Sequence, residues 1–200
     1  MQYLKLFEDW ESEEDWEEAD PADLESSGVY DTNNLDADGR KTGLWIRTNT
    51  NGNISSKGNF VKGEQVGYWE TYYGDGSIET KTYYKNGVKD GPYTQYHWHS
   101  KHIKVKCFHK NGRLDGLYEE FWSNGNLKKR GTYLNGERNG LYEDWHKNGI
   151  LSEYCNFVNG LRDGICEEFD FKGKPISKTE YKMEKIINHE QYQDPWHESN

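Results

Sequence analysis

Four of the seven histidines lie in one short stretch, and two of them are spaced for metal binding. His97 and His99 are two residues apart, so in a β-strand their imidazoles would share a face, and imidazole is a common zinc ligand. No carboxylate or cysteine stands at a matching offset in the same stretch, although Cys107 is close. His97 and His99 are therefore the metal-ligand candidates, and the competing interpretation is a pair of exposed histidines. We expect no metal and no cofactor.

Four glutamates recur at one spacing and raise the question of acid–base catalysis. They are Glu70, Glu119, Glu143 and Glu167. A carboxylate that recurs at a structural position more often belongs to a solvated row, paired with lysines such as Lys128 or Lys147. The sequence has no nucleophile elbow, phosphate-binding glycine loop or HExxH pair. We therefore expect no catalytic residues and no enzymatic activity.

The regular spacing of these glutamates reflects an internal repeat. A Gly-x-x-x-Gly pair begins at six positions that are 24 or 25 residues apart: Gly39, Gly63, Gly87, Gly112, Gly136 and Gly160. The clearest copy runs from Gly136 to Val158, whereas the third copy has one extra residue near Lys101. A fixed period of this length predicts a repeat architecture.

Each unit is predicted to form one β-hairpin. An aromatic run such as 68–73 is followed by a turn signal, Asp75-Gly76, and by a second run that ends in an aromatic residue. The other connection, from Asn135 to Gly140, is predicted to be a slightly longer turn. The fold class is therefore all-β: an elongated single-layer antiparallel β-meander of about six 24-residue hairpins over residues 39–183. Residues 184–200 are predicted to be a C-terminal cap, with a short helix over 184–193.

Two of the three cysteines occupy a position that other repeats fill with small residues. Cys107 and Cys155 stand five residues before an opening glycine, as do Gly58, Thr82 and Gly131, and Thr179 fills the same position at the end of the sixth unit. A position that accepts glycine, threonine and cysteine is typical of a small side chain packed against a neighbour, so these cysteines are predicted to be structural. The odd number of cysteines and the absence of a CxxC pair argue against a disulfide framework. This favours a reducing, cytoplasmic location.

The glycine and aromatic pattern resembles the MORN repeat. The resemblance is carried by the segments from Gly67 to Ile78 and from Tyr84 to Gly91, and it covers about three quarters of the chain. It is strongest to the bacterial variant found in antitoxin-like proteins. The resemblance implies an antitoxin- or immunity-like inhibitor that blocks a toxin or nuclease. Some MORN proteins are associated with acidic lipids, but the negative charge of this chain argues against that alternative.

Two aromatic rows are predicted to lie on opposite faces of the sheet. Two residues after each second glycine stand Trp45, Trp69, Tyr93, Tyr118, Tyr142 and Cys166. Five residues after it stand Thr48, Tyr72, Tyr96, Phe121, Trp145 and Phe169. The two offsets have opposite parity, so one row packs inside while the other lines an exposed groove. We predict that Tyr72, Tyr96, Phe121, Trp145 and Phe169 contact a partner protein.

The N-terminal segment, residues 1–38, is a separate compositional block. It contains 14 acidic residues against one lysine, a net charge of −13, whereas the whole chain carries −10 and residues 39–200 therefore sum to +3. Three interpretations compete: a cap for the first hairpin, a docking segment anchored by Trp10 and Trp16, and a nucleic-acid mimic. We predict a non-catalytic protein-binding scaffold whose partner is another protein, such as a basic toxin or nuclease, with no direct binding of nucleic acid or membrane.

Overall fold

The computed structural model describes residues 32–192, which form one antiparallel sheet of fourteen strands in sequence order. The strands are β1 (Asn34–Leu35), β2 (Lys41–Thr48), β3 (Ile54–Val61), β4 (Glu64–Tyr72), β5 (Ile78–Lys85), β6 (Val88–Tyr96), β7 (Ile103–Lys110), β8 (Arg113–Phe121), β9 (Leu127–Leu134), β10 (Glu137–Trp145), β11 (Leu151–Val158), β12 (Leu161–Phe169), β13 (Pro175–Lys182) and β14 (Lys185–Gln191). The predicted antiparallel meander of 24-residue hairpins is confirmed. Predictions for residues 1–31, including Trp10 and Trp16, lie outside the described residues and stay predictions.

Two kinds of connection join the strands, and the one that was predicted to be longer is the shorter one. Asn135 and Gly136 both have positive φ, 53° and 93°, and Leu134 pairs directly with Glu137. Two consecutive left-handed residues make the two-residue type I′ turn that matches strand twist. Gly140 lies inside β10, where the register shifts at a bulge, and so is not part of the turn. The prediction that this connection is the longer one is therefore wrong.

The other connection is a three-residue loop. Between Tyr73 and Ser77 the chain turns through Gly76, whose φ is 85° and whose N–H donates to the Tyr73 carbonyl at 2.9 Å. A type I turn followed by one left-handed residue has this geometry, and it requires positive φ at one position only.

The sheet continues for one strand, β14, beyond the six predicted repeats. Met183 and Glu184 adopt φ values of 48° and 65°, and Lys182 pairs with Lys185 across the same two-residue turn used by Asn-Gly. The backbone N–H and C=O groups of β14 form hydrogen bonds with β13, so they do not need the partners that a helix would supply. The short helix predicted over 184–193 is therefore wrong.

All buried side chains lie on one face of the sheet, which we call face A and define by Trp69 and Tyr142. The buried residues are Phe60, Trp69, Thr82, Cys107, Tyr142, Cys155, Phe157, Cys166, Ser177 and Thr179. No second layer of the described residues covers this face. Side chains on face A therefore bury one another, as expected for one of the two predicted aromatic rows.

Large and small residues alternate along one ladder of face A. The ladder follows the strand register through Trp45, Gly58, Trp69, Thr82, Tyr93, Cys107, Tyr118, Gly131, Tyr142, Cys155, Cys166 and Thr179. A Cβ on Gly131 would overlap the ring of Tyr142. The small-residue position thus exists because a ring from the neighbouring strand lies on it, which confirms the structural interpretation of Cys107 and Cys155.

Cys155 and Cys166 form a disulfide between β11 and β12. They are directly opposite in the strand register, with Cα atoms 4.1 Å apart. The prediction that the cysteines form no disulfide is therefore wrong for this pair. The sequence search failed because the two residues are 11 apart and meet only through a register shift between Cys155 and Phe157.

Successive repeats are also tied together at both hairpin edges. At one edge, the Gly136 N–H donates to the Leu114 carbonyl at 2.7 Å, one repeat earlier. At the other, the Tyr73 hydroxyl donates to the Tyr96 carbonyl at 2.8 Å, and the Trp122 indole donates to the Trp145 carbonyl at 3.0 Å. These contacts fix the position of each hairpin relative to the next.

Candidate functional site

The aromatic rings of face A pack against one another along the sheet. Phe60 of the first unit packs edge-to-face on Trp69 of the second at 4.9 Å, and Phe157 packs on Tyr142 of its own unit at 5.9 Å between ring centroids. Interplanar angles of 80° and 71° place positive ring edges against negative ring faces. The row therefore presents a firm aromatic floor along the sheet.

Four of the cations over this floor stand at one position of the unit, one each in four of the six repeats. Lys41 Nζ is 4.6 Å from the centroid of Trp45, and Lys89 Nζ is 4.8 Å from that of Tyr93. The guanidinium carbon of Arg138 is 4.1 Å from the centroid of Tyr142, and that of Arg162 is 5.1 Å from that of Tyr181. Each cation gains a favourable cation–π contact. We call Lys41, Lys89, Arg138 and Arg162 the cation row.

The cation row stands at one position of the unit, two residues after the opening glycine. Gln65 and Leu114 fill that position in the other two repeats. Neighbouring repeats are two strands apart, which places successive positions about 10 Å apart along the sheet. The sequence prediction missed this row. Its signal is weak because one position holds lysine, glutamine, leucine and arginine.

Within residues 32–192, no carboxylate forms an ion pair with any member of the cation row. The cations of the opposite face behave differently. There, Lys57 pairs with Glu70 at 2.9 Å and Lys178 pairs with Glu167 at 3.2 Å. Face A also carries carboxylates, since Lys129 pairs with Asp144 at 3.1 Å and Asp144 and Glu153 lie near Arg138 and Arg162. Lys41 and Lys89 are the members of the cation row that lie away from these carboxylates.

A groove of about 750 Å³ runs across face A from β2 to β6. Its floor includes Trp69 and Tyr93, its wall carries the hydroxyls of Thr71 and Thr80, and Arg47 and Lys89 supply positive charge. Glu64 is the acidic residue of the lining. Burial raises the pKa of Tyr93 to about 12, so its hydroxyl stays protonated at neutral pH. The groove can therefore accept apolar groups on its floor and carboxylates at its cations.

A second, smaller cavity lies farther along face A. Its volume is about 60 Å³, and Arg138, Arg162, Asp144 and Glu153 are among its lining residues. This is room for about two water molecules rather than for a ligand. Burial, and then the neighbouring carboxylates of Asp144 and Glu168, raise the pKa of Glu153. The cavity is a polar part of the sheet and not a candidate binding site.

The opposite face, face B, is defined by Glu70 and Tyr72. The recurring glutamates form a ladder with cations of the returning strands: Lys57, Glu70 and Lys81 are register neighbours, as are Glu119, Arg130 and Glu143. Glu70, Glu119 and Glu167 form ion pairs with cations, as predicted for the row, but their partners are Lys57, Lys81, Arg130 and Lys178 and not Lys128 or Lys147. Lys128, which had been named as a partner, instead pairs with Glu120 at 2.6 Å.

The predicted partner-binding row lies half-buried at one edge of the strands. Four of its members are opposite an aliphatic residue and the fifth is opposite a proline: Tyr72 with Ile78, Tyr96 with Ile103, Phe121 with Leu127, Trp145 with Leu151 and Phe169 with Pro175. The Tyr72 hydroxyl donates to Glu70, which places it on face B. Its role in partner binding stays a prediction.

His97 and His99 do not share a strand face, because β6 ends at Tyr96 and both histidines lie in the loop that follows. His97 Nε2 lies 2.9 Å from the Phe121 carbonyl in the next repeat, whereas His99 Nδ1 lies 2.9 Å from Asp75 in the preceding one. The inserted residue of this repeat lengthens the loop and separates the two side chains. The expected shared face is therefore wrong, and residues 32–192 contain no cluster of three potential metal ligands.

Cys107 lies in the ladder between Tyr93 and Tyr118 and is 2% exposed. Burial raises the pKa of its thiol to about 12. A thiol that remains protonated is a poor nucleophile, so Cys107 acts here as a packing residue.

A sheet of sequential hairpins with glycine turns defines a repeat protein, and comparison with protein families identifies the repeat. The family described as MORN repeat variant matches residues 65–86, 114–135, 138–159 and 162–183. The chain is therefore a MORN repeat protein of this variant family. The first and third units, which depart from the pattern at Thr48 and at Ser100, are outside the matches. A comparison with curated proteins gives no match. Residues 32–192 contain no helix long and apolar enough to cross a membrane.

Proposed function

We propose that the chain is a non-catalytic scaffold that binds another protein through face A. The observation that carries the proposal is the cation row, which lies over aromatic rings and has no carboxylate partner within the described residues. Lys89 lines the 750 Å³ groove and Lys41 lies over Phe60 of its lining, and these two cations favour a ligand with both negative and apolar groups. An extended acidic segment of a partner protein has this chemistry.

A flat lipid surface fits the site less well. Anionic lipids bind exposed clusters of basic residues. Lys41 and Lys89 are half-buried over their rings, and a groove admits a single extended chain more readily than a bilayer. Flotation with vesicles of phosphatidylcholine and phosphatidylserine distinguishes the two ligands. If flotation depends on the cation row, the ligand of face A is a membrane and not a protein.

The finer role that we propose is inhibition, in the manner of an antitoxin or immunity protein. It is supported by the resemblance of the repeats and by the acidic N-terminal segment, which would attract a basic partner such as a toxin or nuclease. In this proposal the protein needs no cofactor. A cytoplasmic location stays part of the proposal, but the disulfide of Cys155 and Cys166 removes the argument that the cysteines gave for it. Co-purification that is lost at high salt would support an electrostatic contact of this kind.

The repeats themselves supply the variants that test the binding face. Gln65 fills the cation position in the second repeat, so Lys41→Gln, Lys89→Gln, Arg138→Gln and Arg162→Gln together should preserve the fold. A matched control removes the same charge from exposed hairpin ends: Lys62→Gln, Lys85→Gln, Lys110→Gln and Lys147→Gln. Partner proteins are captured from the native host with each variant, and the affinity is then measured with the purified partner.

We expect the cation-row variant to lose the partner and the control to retain it. A third variant, with Tyr96→Thr and Phe121→Thr, tests the row on face B, because Thr48 fills that position in the first repeat. If this variant loses the partner while the cation-row variant keeps it, binding takes place on face B and the proposal for face A is wrong.

A further inference from the structure

The described chain begins beside the groove of face A. The Asn33 N–H donates to the Leu44 carbonyl at 2.9 Å, and Ile46 N–H donates to the Asn33 side chain at 2.9 Å. Because β1 runs antiparallel to β2, residues that precede Asn33 continue towards the end of β2 that carries Arg47. Arg47 lines the groove. The N-terminal segment therefore enters the sheet next to this site.

Residues 1–31 hold nearly all of the excess negative charge. They contain 12 acidic residues and one lysine, a net charge of −11, and the whole chain carries −10, so residues 32–200 sum to +1. The same segment contains Phe7, Trp10 and Trp16. It combines carboxylates, which would pair with Arg47 and Lys89 of the groove, with apolar groups, which would cover the open aromatic floor.

The segment is long enough to reach every part of the groove. From β2 to β6 the sheet is about 19 Å wide, at about 4.8 Å per strand step. Trp16 is 16 residues from Thr32, and a flexible chain of this length has an end-to-end distance of about 20–24 Å. A tethered segment is present at an effective concentration of the order of 1 mM, well above that of a second copy in dilute solution.

We propose that the N-terminal acidic segment, residues 1–31, occupies the face A groove in the free chain. Its carboxylates pair with Arg47 and Lys89 of the groove and with Lys41, which lies over Phe60 at the margin of the groove, and its tryptophans lie on the aromatic floor. This deepens the proposed function, because a partner of face A must displace the segment. A basic partner that binds the segment would also uncover the groove.

Photocrosslinking in the full chain tests the contact. p-Benzoylphenylalanine replaces Trp16, the protein is irradiated at low concentration as a mixture of unlabelled and ¹⁵N-labelled chains, and crosslinked peptides are identified by mass spectrometry. We expect crosslinks within one chain to peptides of β3 to β6. They should largely disappear with Lys41→Glu, Arg47→Glu and Lys89→Glu, and persist with the control Lys62→Glu, Lys85→Glu and Lys110→Glu.

Three results would overturn the proposal: crosslinks that join labelled to unlabelled chains, crosslinks confined to other strands, and equal yields from groove and control variants. Circular dichroism of each variant shows whether the sheet remains folded, and Lys41→Gln, Arg47→Gln and Lys89→Gln provide a milder second set. This proposal and the proposed function can fail independently of each other. A segment that does not crosslink to the groove leaves partner capture intact, and a segment that does crosslink is informative even where no partner is captured.

Discussion

The indole of Trp69 lies on the backbone of Gly58, in the space that a side chain at position 58 would occupy. The same relationship recurs between Tyr142 and Gly131. Neither glycine has a positive φ, so the requirement for glycine is steric and comes from the ring above it. This close approach lets large rings bury themselves in a sheet that has no second layer.

Alanine at Gly131 should therefore destabilise the fold. The new methyl group would displace the ring of Tyr142, and overpacking of this kind costs about 1–3 kcal/mol. Urea unfolding followed by fluorescence measures the change. Gly74→Ala is the control, because a Cβ there meets no atom within 4 Å and the residue has no positive φ. Equal stability of the two variants would show that the ring moves without cost.

Cys107 should accept threonine and reject phenylalanine. Thr82 and Thr179 fill the same ladder position, so Cys107→Thr should change the free energy of unfolding by less than about 1 kcal/mol. Cys107→Phe should cost about 1–3 kcal/mol, because the site between Tyr93 and Tyr118 is already filled. Thermal denaturation of both variants checks this, and a stable Cys107→Phe protein would contradict the packing role.

Reduction of the disulfide between Cys155 and Cys166 should lower the free energy of unfolding by about 2–3 kcal/mol. A crosslink across 11 residues restricts the unfolded chain, and the loss of that restriction has this size. Urea titrations with and without dithiothreitol measure it. The control is Cys155→Gly with Cys166→Tyr, which restores the pair seen at Gly131 and Tyr142. If dithiothreitol also lowered the free energy of unfolding of this variant, the loss of stability would not come from the disulfide.

Glu153 should make the fold less stable as pH rises. Burial, and then Asp144 and Glu168, raise its pKa above the ordinary value of 4.5 in the folded state. Above that value the unfolded chain releases a proton that the folded chain retains, so stability falls with increasing pH. Glu153→Gln should therefore be more stable than the wild type at pH 7, and the difference should shrink near pH 4. A constant difference would contradict the raised pKa.

Glu70 should make the fold more stable as pH rises, and it is the comparison for Glu153. Although burial opposes its ionisation, hydrogen bonds from Tyr72 and Lys57 hold its pKa below the ordinary value. Its contribution to stability is present above pH 4.5 and lost as the pH falls through the folded pKa. Glu70→Gln should thus lose stability at pH 7 and approach the wild type in acid. Unfolding curves at several pH values for both variants give the two opposite slopes.

The fold could be predicted from sequence because its hairpins are closed by local turn chemistry. Asn135-Gly136 supplies the two left-handed residues of a tight turn without help from distant contacts. The prediction failed where a tertiary contact replaced that local signal. Met183 and Glu184 adopt the same turn without glycine, because β14 gains its hydrogen bonds from β13.

The candidate site was only partly predictable. Strand parity separated the row of Trp69 from that of Tyr72, and the structure places them on opposite faces. Which row would be buried depended on Gly58 and Gly131 lying under rings of the next strand. The cation row was missed because a register shift between β5 and β6 lies between Lys89 and Tyr93, and Lys89 lies over the ring of Tyr93. The spacing of residues in the sequence does not show such a shift.

The sequential order of the strands also determines how the molecule would respond to mechanical load. The first and last strands lie at opposite edges of the sheet, so a force between the two ends acts across the strands rather than along them. Hydrogen bonds would then be loaded one strand at a time, as in a zipper. Each repeat would release 24 residues, or roughly 80 Å of extended chain. Such a chain would extend in small steps at low tension and would recover its length from whichever hairpins remained intact.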